Sequence, residues 1–335
     1  MNRRILILIA ALLFAGLLIS CSSTAWIMNP YRSYSQDKYI CAVGRGYTPE
    51  EADLAARKEL ASLFGMTVQS TVSRTLIETS SEKDGETSES FGEYFTSTAS
   101  MSVNADNLYG VEIAKRTLEK DGTYVSLAVM EKKATTDYYL ARMKSDGEDI
   151  EALKASVPSF FGTMRGVKDA AALVRKMNDY NTSVVMCNYL SGKELPFKSL
   201  ADGYELYRQA QDSVVLELRV DGDESGSVKS AVSKIFTNAG FAVSNGTQEP
   251  TARTSVTIVW RESAGTGVAS SFIFADYNAD VSVIDLVGNE TVMVYSTKGK
   301  EGHQNYESAK ARAVSVLVST LEKEFKTSMR EYFTY

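Results

Sequence analysis

The apolar residues of this chain change period repeatedly, and that change sets the fold class. Tyr39-Ile40-Cys41-Ala42-Val43-Gly44-Arg45-Gly46 has the composition of a strand that runs into a glycine turn. Thr48-Pro49-Glu50-Glu51 follows as a helix start, with Thr48 as N-cap, Pro49 at the first helical position and Glu51 completing a capping box. Ala52, Ala55, Ala56, Leu60, Leu63 and Phe64 then recur at helical spacing, which predicts a helix to about Val72. Its alanines permit close approach to a sheet.

The same switch recurs downstream. Thr79 to Glu89 is polar and aperiodic and reads as an exposed excursion, and Thr96 to Asp106 reads as a helix leading into the next strand. Leu108 to Leu118 alternates as a strand, Asp121-Gly122 signals a hairpin, and Tyr124 to Met130 is the returning strand. Helical periodicity returns from Lys132 to about Met143 and from Asp169 to Met186, with Pro158 and Gly162 breaking the region between. Ser191 to Ser199 reads as a linker. A second unit follows, with a strand at Val214 to Val220 and a helix at Val228 to Ala239 closed by Gly240. Strands are expected from Phe241, over Ser255 to Arg261, Ser271 to Leu286 and Glu290 to Ser296. A closing helix from about Tyr306 to Tyr332 carries Ala309, Ala313, Val316, Leu317, Leu321 and Phe325 on one stripe. The expected class is α/β (α+β): two mixed-sheet domains with packed helices, joined by a helical segment.

The N-terminus carries a different signal. Asn2-Arg3-Arg4 is a short positive start, Ile5 to Ile19 is apolar and small, and Leu18-Ile19-Ser20-Cys21 precedes Ser22-Ser23-Thr24. The apolar run is short for a membrane span, which needs about 20 residues, and its layout is that of an export signal. It resembles a bacterial lipoprotein signal, in which the peptide is removed before Cys21 and that cysteine receives acyl chains such as palmitate. Each buried CH2 contributes roughly 0.8 kcal/mol, so several chains hold nearly permanently. Ser22 is not acidic, so the inner-membrane retention cue of enterobacteria is missing, and the expected location is the outer membrane, facing the periplasm. The expected organisation is a signal peptide over 1–20, a lipidated tether over 21–37, a first α/β domain over 38–143, a helical connector over 144–199 and a C-terminal α/β domain over 200–335.

Charge and composition narrow the chemistry. The net charge of −6 becomes more negative once Arg3 and Arg4 are removed, which argues against a nucleic-acid partner. The three cysteines leave Cys41 and Cys187 after Cys21 is lipidated; they either pair in an oxidising compartment or stay free as small core residues. A single histidine, His303, excludes HExxH and multi-histidine metal sites; it lies in Gly302-His303-Gln304-Asn305, read as a loop without a GxSxG companion.

The remaining candidates each have a plainer role. Gly44-Arg45-Gly46 before a helix suggests a phosphate cradle, but Pro49 replaces the third glycine and no Walker lysine follows, so a tight turn is favoured. Glu50, Glu51 and Asp53 complement a helix N-terminus. Asp276, Asp280 and Asp285 lack the glycine and glutamate of an EF-hand loop and suit exposed strand positions. Phe197, Tyr204 and Tyr207 form either a binding patch or linker packing. The excursion Thr79 to Glu89 either docks a partner or is a solvated loop. No catalytic residue, cofactor or metal is assigned.

Two stretches carry family resemblances. Tyr39-Ile-Cys-Ala-Val-Gly-Arg-Gly-Tyr-Thr-Pro-Glu-Glu-Ala and the helix to Phe64, with Leu108-Tyr-Gly-Val-Glu-Ile and Gly122-Thr-Tyr-Val-Ser-Leu-Ala-Val-Met, resemble the Lpp-twenty type lipoprotein domain. Similar units occur in flagellar assembly protein T. The C-terminal unit is similar to the α/β domain of penicillin-binding-protein activator lipoproteins and to the N-terminal domain of the translocation protein TolB, through Val228 to Phe241, Ala279-Asp-Val-Ser-Val-Ile-Asp and the terminal helix. These resemblances imply an envelope protein that binds or scaffolds other macromolecules and is not an enzyme. The alternatives are an accessory regulator of an envelope machine (peptidoglycan synthesis, flagellar or secretion assembly) and a hydrolase using carboxylates. Expected partners are the membrane, through lipid on Cys21, and envelope proteins or peptidoglycan machinery.

Overall fold

The computed structural model describes residues 24–80, 108–269 and 271–334. The signal region, Cys21, nearly all of the polar excursion and the expected helix at 96–106 lie outside the described residues. The fold is α/β, with mixed sheets and packed helices, in two compact units. Among the described residues the chain passes between the units within three helices, after Arg74, after Arg142 and after Asn181, and again after Pro196. The stretch 144–199, expected to be a connector, is therefore shared between both units.

The first unit is built on a three-stranded antiparallel sheet ordered β1-β3-β2, with β1 Tyr39–Gly46, β2 Val111–Leu118 and β3 Tyr124–Glu131. Central β3 is apolar almost throughout because both its faces are covered. Ser126, Ala128 and Met130 share a face with Ile40, Ala42, Gly44 and Gly46, and the first turns of helix α2 (Pro49–Ser80), at Ala52 and Ala56, lie on it. The sequence-expected end near Val72 falls short of the observed one at Ser80. The other face, with Cys41, Val125, Leu127 and Val129, is closed by Trp26.

Trp26 lies on α1 (Ala25–Met28), which a short 3-10 turn at Pro30–Arg32 follows. Residues 24–37, expected to be a tether, are thus partly packed. Trp26 is 5% exposed, Ile27, Tyr31 and Tyr34 lie against the same cluster, and Lys115 donates to the Ser33 hydroxyl at 2.9 Å. Burial of the indole offsets part of the chain entropy lost on ordering the segment.

The second unit contains a five-stranded sheet ordered β5-β4-β6-β7-β8. Strands β4 (Val215–Asp221), β5 (Ala242–Val243) and β6 (Ala252–Ala264) are parallel neighbours; β7 (Ile273–Asp285) and β8 (Glu290–His303) complete an antiparallel meander. The core holds Val256, Ile258, Tyr277, Ala279, Val281 and Val283 on one sheet face, with Val232 and Phe236 of α6 (Ser227–Asn238) and Ala313 and Leu317 of α7 (Tyr306–Thr320).

Helices α3 (Lys132–Ser156) and α4 (Met164–Ser191) are both longer than their periodic cores suggest. Between α4 and β4 lies α5 (Leu200–Asp212), where the sequence reading placed only a linker and aromatic residues. Gly203 masks this helix, yet its missing side chain is what admits α4, since a Cβ there would sit 2.7 Å from the Met177 sulfur.

The final helix departs from the expected stripe in one respect. Ala309, Ala313, Leu317, Leu321, Phe325 and Met329 are buried at a constant spacing of four, whereas Val316 is 40% exposed. A strict four-residue repeat drifts by about 40° per step around an α-helix. A π-helical turn at Leu321–Phe325 widens the helix and returns the stripe to the core before α8 (Lys326–Thr334).

Candidate functional site

The expected lipidation site, Cys21, precedes the described residues, so its surroundings begin at Thr24 and the packed Trp26. The other candidates fall at described positions, and the fold separates them. Gly44 and Gly46 are not a turn and not a phosphate cradle. They lie in β1 directly beneath α2, where a Cβ on Gly44 would be 2.0 Å from the Ala56 nitrogen and one on Gly46 2.5 Å from the Ala52 nitrogen. Arg45 between them pairs with Glu119 at 3.4 Å.

The acidic start of α2 is divided among three tasks. Glu51 and Thr48 form the reciprocal cap: Glu51 N–H donates to Thr48 Oγ1 at 3.1 Å, and Tyr47 N–H donates to Glu51 Oε2 at 2.8 Å. Asp53 points to the sheet. It receives Arg116 Nε and Nη2, at 2.9 and 2.6 Å, and the hydroxyl of buried Ser126 at 2.6 Å. The Arg116 hydrogen bonds hold its carboxyl below the ordinary aspartate range, opposed by desolvation and helped by Ser126. Glu50 stays at the surface.

The three aspartates of β7 do not converge. Asp276 and Asp280 project from the face opposite the core. Asp276 receives Ser263 at 2.6 Å and Lys300 at 3.2 Å, and the Ser263 hydrogen bond leads in lowering its pKa. Asp280 receives the Ser296 hydroxyl at 2.6 Å. Asp285 points into the core at 1% exposure, which corrects its expected exposed position. A register shift between Val283 and Ile284 precedes it. Its Oδ2 accepts from Met164 N–H at 2.7 Å, and its Oδ1 from Val287 and Gly288 N–H at 3.0 and 2.8 Å. Three main-chain amides satisfy the buried carboxyl oxygens. Among the described residues, no group of three or more His, Cys, Asp or Glu side chains is placed to hold a metal.

His303 closes β8 and is part-buried, not in a loop, and its Nδ1 has no hydrogen-bond partner among the described residues. No hydroxyl or thiol nucleophile is bonded to it there. Tyr204 and Tyr207 lie on the inward face of α5, and burial drives both phenol pKa values upward; Phe197 remains at the surface. Tyr204 and Tyr207 therefore belong to a helix packing face, and Phe197 lies outside it. Cys41 and Cys187 are free and buried, and desolvation pushes both thiols up to about 11.

Sequence reading missed a groove of about 510 Å³ in the second unit. It lies between Gly226 and one face of α6 (Lys229, Ser230, Ser233), the edge of β4 at Glu217 and Leu218, and the turn from Val243 to Pro250. The amides at the start of α6 are already used: Ser227 N–H donates to Ser225 Oγ and Lys229 N–H to Asp223 Oδ2. Glu217 is clamped by Arg253 at 2.6 Å and Arg219 at 2.9 Å, which lower its pKa in that order. Lys229 makes no ion pair among the described residues.

No family model matches the chain, and no curated protein matches it. Solved structures similar to it are a secreted protein and bacterial lipoproteins. The secreted protein HP1454 of Helicobacter pylori is 12% identical with a TM-score of 0.44, over 87% of this chain and 100% of that one. A minor lipoprotein of Acinetobacter baumannii is 13% identical with a TM-score of 0.27, over 36% of this chain and 90% of that one. Lipoprotein GNA1162 of Neisseria meningitidis is 13% identical with a TM-score of 0.25, over 34% of this chain and 99% of that one.

Proposed function

We propose that this protein is a lipid-anchored, non-catalytic binding or scaffold protein of a bacterial envelope, held by acyl chains on Cys21 and facing the periplasm from the outer membrane. The observation that carries the non-catalytic reading is the use made of the candidate carboxylates. Asp53, Asp276 and Asp285 have both carboxylate oxygens engaged by neighbouring elements of the fold, and Asp280 has one oxygen held by Ser296. A general acid or nucleophile needs an oxygen free to reach a substrate. The Lpp-twenty resemblance belongs to the same proposal, supported by the order strand, capped helix, closing hairpin in the first unit.

The anchor also sets a distance. Trp26 is packed on the first unit, and five residues of extended chain reach at most roughly 18 Å. The first unit is then held close to the headgroups.

The test is in-cell crosslinking and membrane fractionation of the full chain beside Cys21→Ala, with metabolic labelling by a palmitate analogue. Label on the wild-type chain, release of the variant from membranes, and a partner lost with the anchor are expected. A variant that remains membrane-bound would overturn the anchor. Saturable hydrolysis by the purified protein would overturn the non-catalytic role.

A further inference from the structure

We propose that the groove beside β4 accepts an extended peptide segment of a partner protein as an added strand, with a carboxylate of that segment on Lys229. This rests on the binding-protein reading and names its partner class. The argument begins with how little of β4 is paired on its outer side. Strand β5 matches only Val215 and Leu216, and Ser244 N–H then donates to the Leu216 carbonyl at 2.8 Å. There the chain turns away: Gly246 N–H and Thr247 N–H bond back to Ser244 Oγ and Asn245 Oδ1, with Gly246 at φ 90°.

Strand β4 itself continues to Asp221, because β6 pairs with it from Leu216 to Asp221 on the inner side. Main-chain groups of a strand alternate sides, so Leu218 and Val220 direct N–H and C=O the same way as Leu216. No strand of the described residues meets them there. The groove opens at this point, lined by Glu217, Leu218 and the outer face of α6.

The lining identifies what fits. An unpaired run of alternating donors and acceptors is matched by extended backbone, the usual basis of strand addition to a sheet edge. Leu218 and Val220 are half-buried against the core and already shaped as strand interior. The side walls are mostly small or uncharged: serines, glycines and Gln248, with Val243 and Pro250. The one carboxylate, Glu217, is neutralised by two arginines, whereas the one lysine has no ion-pair partner among the described residues. The groove therefore selects a segment bearing an acidic side chain or a free C-terminal carboxylate.

The test pans a displayed random dodecapeptide library against the full lipidated chain in detergent. Selected synthetic peptides are then measured by titration and by hydrogen exchange. Val220→Pro removes a donor on the outer side only and spares the inner ladder, a position where proline is tolerated in strands. Acidic peptides should protect residues 216–221 and 243–248 from exchange. They should bind about tenfold more weakly to Val220→Pro and roughly fivefold more weakly to Lys229→Glu. If Val220→Pro does not fold, the exchange map and Lys229→Glu decide alone. Protection confined to β8 or to the first unit, with affinities unchanged in the variants, would overturn the groove while leaving the binding-protein reading intact. Failure to select any peptide would also overturn it, and the Cys21→Ala crosslinking judges the wider reading separately.

Discussion

Asp285 Oδ2 accepts a hydrogen bond from the main-chain N–H of Met164, the first residue of α4, across 121 positions of sequence. The other oxygen of the same carboxylate closes the β7–β8 turn through Val287 and Gly288. One buried aspartate thus ties a helix start to a sheet turn. Asp285→Ala leaves buried amides unsatisfied, at about 1–3 kcal/mol each, and should lower the melting temperature of the second unit by roughly 10 °C. Asp285→Asn keeps one accepting oxygen and should fall between. Differential scanning calorimetry reads both, and a melt unchanged in Asp285→Ala would sink the clamp.

Trp26 makes a comparable prediction for the first unit. Its indole covers the face of the sheet that carries Cys41, Val125, Leu127 and Val129. Truncating a buried aromatic to alanine costs about 3–5 kcal/mol. Trp26→Ala should therefore destabilise the first unit and raise binding of a hydrophobic dye, whereas Met28→Ala, on the same helix but 89% exposed, should do neither. Equal behaviour of the two variants would restore the view of residues 24–37 as a free tether.

Gly44 should tolerate no side chain. Gly44→Ala places a methyl group against helix backbone, not against a movable side chain. The expected cost is about 1–3 kcal/mol or more, because α2 must lift off the sheet. Gly122→Ala meets open space and carries only the strain of φ 88° at the hairpin. Chemical denaturation of the two variants should rank Gly44→Ala as the more damaging.

These residues also show where sequence is readable. The capped start at Thr48 to Glu51, the hairpin at Asp121-Gly122 and the apolar run of β3 act through local chemistry, so their patterns survive in a single chain. Strand β8 beyond Ser296 does not show itself. Its glycines leave room for the rings of Tyr277 and Phe274, and its Lys and Glu residues carry no apolar alternation. Helix α5 is hidden in the same way by Gly203. The groove beside β4 is illegible for a different reason: it is created by the early departure of β5, a tertiary event with no local signature. The same holds for Asp285, whose role depends on a helix start far away in sequence.

Asp53 predicts an acid dependence. Its folded pKa lies below the unfolded value, with the Arg116 hydrogen bonds as the main cause. Its contribution to stability is therefore complete above the unfolded value of 3.8 and is lost as pH falls through the lowered folded value. Asp53→Asn should be less stable than wild type at neutral pH, and the two melting curves should converge in acid. A gap that stays constant down to pH 2 would show that the carboxylate charge is not what binds Arg116 and Ser126.

Cys41 and Cys187 set the opposite limit. Both are buried, and both thiols are raised from 9.0 to about 11 by desolvation. At neutral pH that shift alone lowers the thiolate fraction about a hundredfold. Iodoacetamide should label the folded chain at least that much more slowly than the denatured chain, and mass spectrometry without reductant should find both thiols free. The stability consequence follows in sign. An unfolded thiol ionises near pH 9 while the folded one stays protonated, so the unfolded state binds fewer protons and stability falls as pH rises from about 9 to 11. Tyr204 and Tyr207, raised by burial in the second unit, extend the same loss to higher pH. Cys41→Ala with Cys187→Ala should flatten the first part of the alkaline limb and leave the tyrosine part unchanged. Rapid labelling of the native protein at pH 7.5, or a disulfide between the two, would contradict the buried free-thiol assignment.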